Sequence, residues 1–283
     1  MRQEVYYQRG ADDPIHSEEV VLDIVRQYLP GARALNYIDE TGGEARMYAV
    51  DEDIILKVQR PHQLRMSTSL EKEAFFLMEL EKQCNINVPR VHGYGRAGDI
   101  EYTCMSRIPG AAFKNVELTP DERQVILYEL AKVLRKIHGI DQSAIAECGL
   151  FPKDDPPDLV ERLRLRAHSA IKSKAHISAE QGEVLFTKIE AELQKIKKAG
   201  PFVALHVNPA ITHTFVDPLT RKYSGLIDFG DAYIGHPIFD FWRWPVLDRE
   251  MLLKGYIAAE PVSEDFMLVY EAANNIDRIT ESL

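Results

Sequence analysis

Apolar residues recur along this chain with two different periods, and the period changes near residue 108. The first clear element is a helix over 17–29. Ser17 is placed to cap it, Glu18 and Glu19 suit the positive end of its dipole, and Pro30-Gly31 stops it. Strand-like runs follow. Ala34–Ile38, Arg46–Val50 and Ile54–Val58 predict three strands, joined by Glu40-Thr41-Gly42-Gly43-Glu44 and then by the acidic turn Asp51-Glu52-Asp53. Helical spacing returns over Ser69–Gln83, carried by Leu70, Ala74, Leu77 and Met78. Val88–Tyr94 and Tyr102–Arg107 predict two further strands, and Ile108-Pro109-Gly110 breaks the pattern.

Beyond the break the chain reads as mostly helical. Thr119-Pro120-Asp121-Glu122 supplies a cap, a proline at the first helical position and acids in the first turn. That helix is predicted to reach His138, with Gly139 ending it. Residues 151–157 read as loop, 158–171 and 178–199 as helices, 205–229 as short strands and turns, and the part from Ile238 as helix, with Trp242 and Trp244. The prediction is an α+β chain, with a β-rich lobe over 1–108 and a mostly helical lobe over 109–283.

Composition narrows the function classes. Of 283 residues, 45% are apolar, enough for a real core. The net charge of −10 is spread evenly: 13 Lys/Arg against 18 Asp/Glu up to residue 108, and 21 against 26 after it, so −5 in each part. Neither part is a basic platform for nucleic acid, and no basic patch suits an anionic membrane. No stretch is apolar for long enough to span a bilayer, and MRQEVYYQRGADDP has no apolar core of a secretory signal. Cys84, Cys104 and Cys148 lie 20 and 44 apart, which excludes a disulfide scaffold and fits a reducing compartment. A soluble, cytoplasmic protein is expected.

Several residues carry candidate chemistry. Gly42-Gly43 lies between two strands, where backbone amides can approach phosphates, and Lys57 follows on the next strand. Glu73 comes 16 residues later on a helix; it precedes Ala74-Phe75-Phe76, which would turn it inward, in preference to Glu71, Glu79 or Glu81. The strand Tyr102–Arg107 runs into a breaker whose backbone can offer a carbonyl and an amide to a nucleobase. Leu205–Asp217 contains His206, Asn208 and His213. Gly225-Leu226-Ile227-Asp228-Phe229-Gly230-Asp231-Ala232 delivers Asp228 into a glycine turn, a good presentation of a carboxylate to a hard cation.

These blocks resemble the aminoglycoside phosphotransferase and choline kinase-like family over roughly residues 33–245. The resemblance implies a bilobal protein-kinase-like fold. The family's H-G-D-x-x-x-x-N segment aligns with His206-Val207-Asn208…His213, its I-D-F-G-D-A segment with Ile227–Ala232, and its G-x-P-x-x-D tail with Gly235, Pro237 and Asp240. Leu134-Arg135-Lys136-Ile137-His138 is similar to the family's helix ending in Leu-His. The resemblance further implies Lys57 and Glu73 as the ATP-lysine pair, Met105 as gatekeeper, and the Ser106 carbonyl and Ile108 amide as adenine contacts. ATP or another nucleoside triphosphate, with Mg²⁺ or Mn²⁺ on Asp228 and His213, is the implied partner set, together with a small acceptor, for which the acidity of the chain is compatible with a cation.

Two positions depart from the family. Its catalytic Asp is Asn208 here, and its metal-binding Asn is His213. An amide hydrogen-bonds a hydroxyl but is no general base near neutral pH, and an imidazole suits Mn²⁺ or Zn²⁺ better than Mg²⁺. One reading is a working phosphotransferase in which His213 or His206 takes the proton. The other is a pseudokinase-like nucleotide or small-molecule binding protein. For the acceptor, residues 151–199 and the C-terminal helices are implied, with Asp154, Asp155 and Asp158 as acidic candidates and Asp240 read as structural.

Overall fold

Ser17 Oγ accepts the Val20 N–H at 3.4 Å, and the first helix, α1 (Glu18–Arg26), starts there. The coordinates are a computed structural model, which describes residues 10, 12–60, 69–154, 156–174, 176–198 and 200–281. Helix α1 presents Val21, Leu22, Ile24 and Val25 to Tyr48, Leu56, Val58, Tyr102 and Cys104 of a five-stranded antiparallel sheet. The strands are β1 (Leu35–Asp39), β2 (Ala45–Val50), β3 (Ile54–Gln59), β4 (Val91–Ala97) and β5 (Ile100–Ser106), in the order β1-β2-β3-β5-β4. Side chains alternate across a strand. Leu56 and Val58 therefore enter the α1 core, while Ile55 and Lys57 take the opposite face and are only half buried. Helix α2 (Leu70–Gln83) lies between β3 and β4 in sequence, capped by Ser69, whose Oγ accepts the Lys72 N–H at 3.2 Å.

The hairpin β4–β5 is shifted from the predicted strands, running to Ala97 and resuming at Ile100 around Gly98, whose φ is +60°. Glu101, itself buried, accepts from Tyr94 Oη at 2.9 Å and from Arg96 Nη2 at 3.2 Å, which ties the two strands together on either side of the Gly98-Asp99 turn.

Then come β6 (Ala111–Ala112), α3 (Pro120–His138), α4 (Ser143–Glu147), α5 (Pro156–Lys172), α6 (Ala179–Leu193) and β7 (Val203–Leu205). The chain ends with β8 (Thr214–Asp217), β9 (Lys222–Leu226), β10 (Tyr233–Gly235), α7 (Ile238–Phe241), α8 (Val246–Ala259) and α9 (Glu264–Glu281). Helix α5 begins two residues before its predicted start, at tandem prolines whose missing N–H groups cost nothing in a first turn. Helix α6 ends at Leu193 rather than Ala199. Bonds from Lys195 N–H to the Glu192 carbonyl and from Ile196 N–H to the Leu193 carbonyl tighten the chain out of the helix.

Contacts group the chain into two compact units. One comprises Met1–Glu122, Ile140–Phe151 and His206–Ala232, the other Arg123–Gly139, Pro152–Leu205 and Tyr233–Leu283. This grouping is not a cut at residue 108, because His206–Ala232 packs with the N-terminal sheet. Asn87 explains part of it: its Nδ2 donates to the Ser224 carbonyl at 2.7 Å, and its own carbonyl accepts the Leu226 N–H at 3.0 Å. Gly110 supports the same joint. Its φ is +100°, and a Cβ there would overlap the Val216 carbonyl. In this unit β6, β8 and β9 form a small sheet.

In the other unit β7 pairs with β10, and α5, α6 and α9 pack together. Its centre holds buried polar networks. His138 bonds Asp240 Oδ2 at 2.9 Å and Tyr256 Oη at 2.8 Å, so Asp240 is a structural residue, as the sequence suggested. Arg249 donates to the Trp244 carbonyl, Asn274 Oδ1 and Asp277 Oδ2. Asp154 is engaged by Arg162 at 2.6 Å; Asp158 is exposed; Asp155 lies outside the described residues.

Candidate active site

The β3 alternation aims Lys57 away from the α1 core, and α2 brings Glu73 to meet it. Lys57 Nζ donates to Glu73 Oε2 at 2.8 Å and to Asp228 Oδ1 at 2.8 Å. Glu73 Oε1 accepts the Phe229 N–H at 3.1 Å, so one carboxylate, only 1% exposed, ties the lysine to the segment carrying Asp228. The rival glutamates are occupied elsewhere, Glu79 by Lys82 and Glu81 by Arg90. Burial works against the Lys57 ammonium, but the Asp228 and Glu73 carboxylates outweigh it and raise the pKa above the ordinary lysine value. Burial likewise works against the Asp228 carboxylate. The charge of Lys57 prevails and holds it well below the usual carboxylate range.

The loop after β7 is organised by two histidines with different tasks. His206, fully buried, faces the Ile227 carbonyl with Nε2 at 2.9 Å, and its Nδ1 accepts the Asn208 N–H at 3.2 Å. A carbonyl only accepts, so Nε2 carries the proton and both ring nitrogens are engaged. His206 holds the loop against the Asp228 strand, and the proton-accepting role entertained from sequence is closed to it in this arrangement. His213 Nδ1 lies 2.9 Å from the Asn208 carbonyl, which places the proton on Nδ1 and turns Nε2 toward Asp228 Oδ2, 3.2 Å away.

These residues surround a cavity of about 890 Å³, within the usual size range of small-molecule sites. Gly42, Gly43, Lys57, Glu73, Met105, Ser106, Ile108, Asn208, His213 and Asp228 all line it; His206 does not. The glycine turn is pinned before it opens onto the cavity. Asp39 Oδ1 accepts from the Thr41 N–H at 2.8 Å, Glu40 pairs with Arg46 at 2.6 Å, and a Cβ on Gly42 would overlap the Ala45 carbonyl. At the linker the Ser106 N–H goes to the Arg90 carbonyl and the Arg107 N–H to the Asp53 carbonyl. The Ile108 N–H has no partner among the described residues. Met47, Ile55, Met105 and Ile227 add an apolar wall.

The phosphotransferase enzyme family model, APH, matches residues 27–262. The chain belongs to this family. Solved structures share its fold at low sequence identity. An ADP-bound aminoglycoside phosphotransferase, APH(2'')-Ib, is 18% identical, with 93% of this chain and 90% of that chain covered and a TM-score of 0.61. Macrolide 2'-phosphotransferase MphH from Brachybacterium faecium is 19% identical over 91% and 87%, at 0.62. The GDP complex of wild-type aminoglycoside 2'-phosphotransferase-IIIa is 13% identical over 93% and 90%, also at 0.62. The kinase-like α+β architecture, an antiparallel N-terminal sheet followed by a helical part, is thereby established. Among the described residues, no helix is long and apolar enough to cross a membrane.

Two features of this APH-family site were missed in the sequence. Val207 stands where the family motif has glycine, and its φ is +75°, a region that a β-branched residue avoids. Only the motif alignment could have flagged it. Val207→Gly is expected to stabilise the protein by up to about 1 kcal/mol, the relief of left-handed strain less the added chain entropy, where other half-buried Val→Gly changes destabilise. Urea unfolding of the two proteins measures the sign.

The second is Lys72, whose side chain is buried beside Glu73. Burial lowers its pKa from 10.5 to about 8, against the opposing pull of Asp231 and Glu73. Between about pH 8 and 10.5 the unfolded chain binds a proton here that the folded chain does not, so this group makes stability rise with pH over that window. Unfolding free energies at pH 7.5 and 10 are expected to show that rise, and Lys72→Met to flatten it.

Proposed function

We propose that the protein is a nucleotide-dependent small-molecule kinase, transferring the γ-phosphoryl group of ATP, or of another nucleoside triphosphate, to a hydroxyl of an amino sugar, amino alcohol or similar acceptor. The observation that carries this reading is the Lys57–Glu73–Asp228 cluster in a cavity that also presents a glycine turn, an apolar wall and an unpartnered linker amide. Met47, Ile55, Met105 and Ile227 suit a base, with the Ser106 carbonyl and Ile108 amide on its edge. Gly42-Gly43 and Lys57 suit the phosphates. Among the described lining residues the acids Asp39, Glu44, Glu73, Asp228 and Asp231 outnumber the bases Lys57, Arg107 and Lys114. A polyanion therefore needs a divalent cation to enter. The donors at Asp228 Oδ2 and His213 Nε2 fit one, which would neutralise charge on the phosphate oxygens.

In the transfer, the acceptor oxygen bonds to the γ-phosphorus as the bond from that phosphorus to the β–γ bridging oxygen breaks. Asn208 lines the cavity and can hydrogen-bond the acceptor hydroxyl without taking its proton, which leaves to a phosphoryl oxygen or to water. Positioning and charge neutralisation dominate such transfers, so loss of a base slows the reaction without forbidding it. The amide at Asn208 equally favours the second reading, a pseudokinase-like protein that binds nucleotide without turnover.

Thermal stabilisation by ATP with Mg²⁺ or Mn²⁺, followed by radiolabelled phosphate transfer across amino sugars, amino alcohols and macrolides, tests both. A phosphorylated product supports the kinase. Stabilisation with no transfer to any acceptor supports the binding protein, and absence of stabilisation with every cation refutes both.

A further inference from the structure

The nucleotide reading leaves open which cation this chain selects, and the donor atoms speak to that. Mg²⁺ wants oxygen ligands in near-octahedral geometry and keeps its waters, whereas imidazole nitrogen is a good donor to first-row transition metals. The position at which the family carries an amide oxygen presents Nε2 of His213 here, 3.2 Å from Asp228 Oδ2. The ring is not free to turn away. Its Nδ1–H is held by the Asn208 carbonyl at 2.9 Å, a second partner of the kind that fixes the tautomer and orientation of metal-binding histidines. The other carboxylate oxygen, Oδ1, is occupied by Lys57 at 2.8 Å, so Oδ2 is the oxygen facing the imidazole. Among the described residues, no group of three or more His, Cys, Asp and Glu side chains is placed to hold a metal. Two protein donors do not make a resident structural site; a cation held there would draw its other ligands from phosphate oxygens and water.

We infer that His213 and Asp228 form a mixed nitrogen–oxygen site selecting a nucleotide-bound first-row transition dication, with Mn²⁺ as the probe, over Mg²⁺. The inference rests on nucleotide binding in the cavity, and it assigns to His213 a specificity role that the oxygen donor at this position in the family would not have. It also places the two departures in one assembly, since the Asn208 backbone orients the ring that replaces the metal-binding amide.

The test uses the full chain and a non-hydrolysable ATP analogue, so that turnover is not the readout. Analogue affinity is measured by calorimetry with Mg²⁺ and with Mn²⁺, in wild type and in His213→Asn. Binding in wild type is expected to be at least about tenfold tighter with Mn²⁺, about 1.4 kcal/mol, and the ratio is expected to fall several-fold in His213→Asn. Pulsed electron paramagnetic resonance of the wild-type Mn²⁺–analogue complex supplies a readout independent of the variant's folding: an imidazole nitrogen coupling to the metal is expected. Equal affinities with the two cations, or a Mn²⁺ spectrum without that coupling, overturn the site while leaving nucleotide binding intact. No analogue binding with either cation overturns both.

Discussion

Asn208→Asp is expected to raise the phosphoryl-transfer rate by about 10²–10⁴-fold, the range that a positioned general base contributes. Asn208 lines the cavity, and its backbone already holds His213 through the carbonyl. The substitution changes one side-chain atom and leaves that contact in place. Analogue affinity should stay within a few-fold, because on the kinase reading the new carboxylate would meet the acceptor hydroxyl rather than the nucleotide. Single-turnover transfer at saturating nucleotide measures the effect free of product release. An unchanged rate would show that the acceptor's proton is not handled near residue 208, and the kinase reading would lose its account of the motif.

The second large effect concerns stability. Lys57→Met removes the cation shared by two carboxylates, one of which, Glu73, is almost wholly buried. Breaking such a pair from one side costs about 3–5 kcal/mol, because the remaining charge stays buried without its partner. Adding Glu73→Gln should recover part of the loss, since the glutamine Oε1 can still accept the Phe229 N–H that the glutamate holds at 3.1 Å. Urea unfolding of the two single variants and the double variant closes a thermodynamic cycle. A coupling near zero would mean that Lys57 and Glu73 do not support one another, contrary to the geometry.

The parts of this molecule that the sequence made legible are those set by short-range pattern. The resemblance proposed the Lys57–Glu73 pair, and the apolar residues after Glu73, which turn that glutamate inward, chose it over its neighbours; strand alternation in the structure puts Lys57 opposite the α1 core. The Asp228 turn was legible for the same reason, an apolar strand ending in glycine. What stayed hidden depends on tertiary partners. His206 and His213 both stand as proton acceptors in the sequence, yet one spends both ring nitrogens on backbone and the other points Nε2 at a carboxylate. Lys72 reads as an ordinary helix lysine until its burial, and the pull of the Asp231 and Glu73 charges on it, are known. Helix ends failed where capping competes with pattern, at Pro156 and after Leu193. The grouping of His206–Ala232 with the N-terminal sheet depends on Asn87, a residue with no distinguishing local pattern.

The contact between Lys57 and Asp228 closes a loop of 171 residues. Chain-closure entropy grows only with the logarithm of loop length, and a doubling costs about 0.6 kcal/mol. Once such a long excursion is tolerated, adding or deleting a helix between residues 152 and 205 changes the cost of assembling the lysine–aspartate contact very little. The intervening helices can therefore vary in length as an insert, while the contacts around Lys57, Glu73 and Asp228 stay in register.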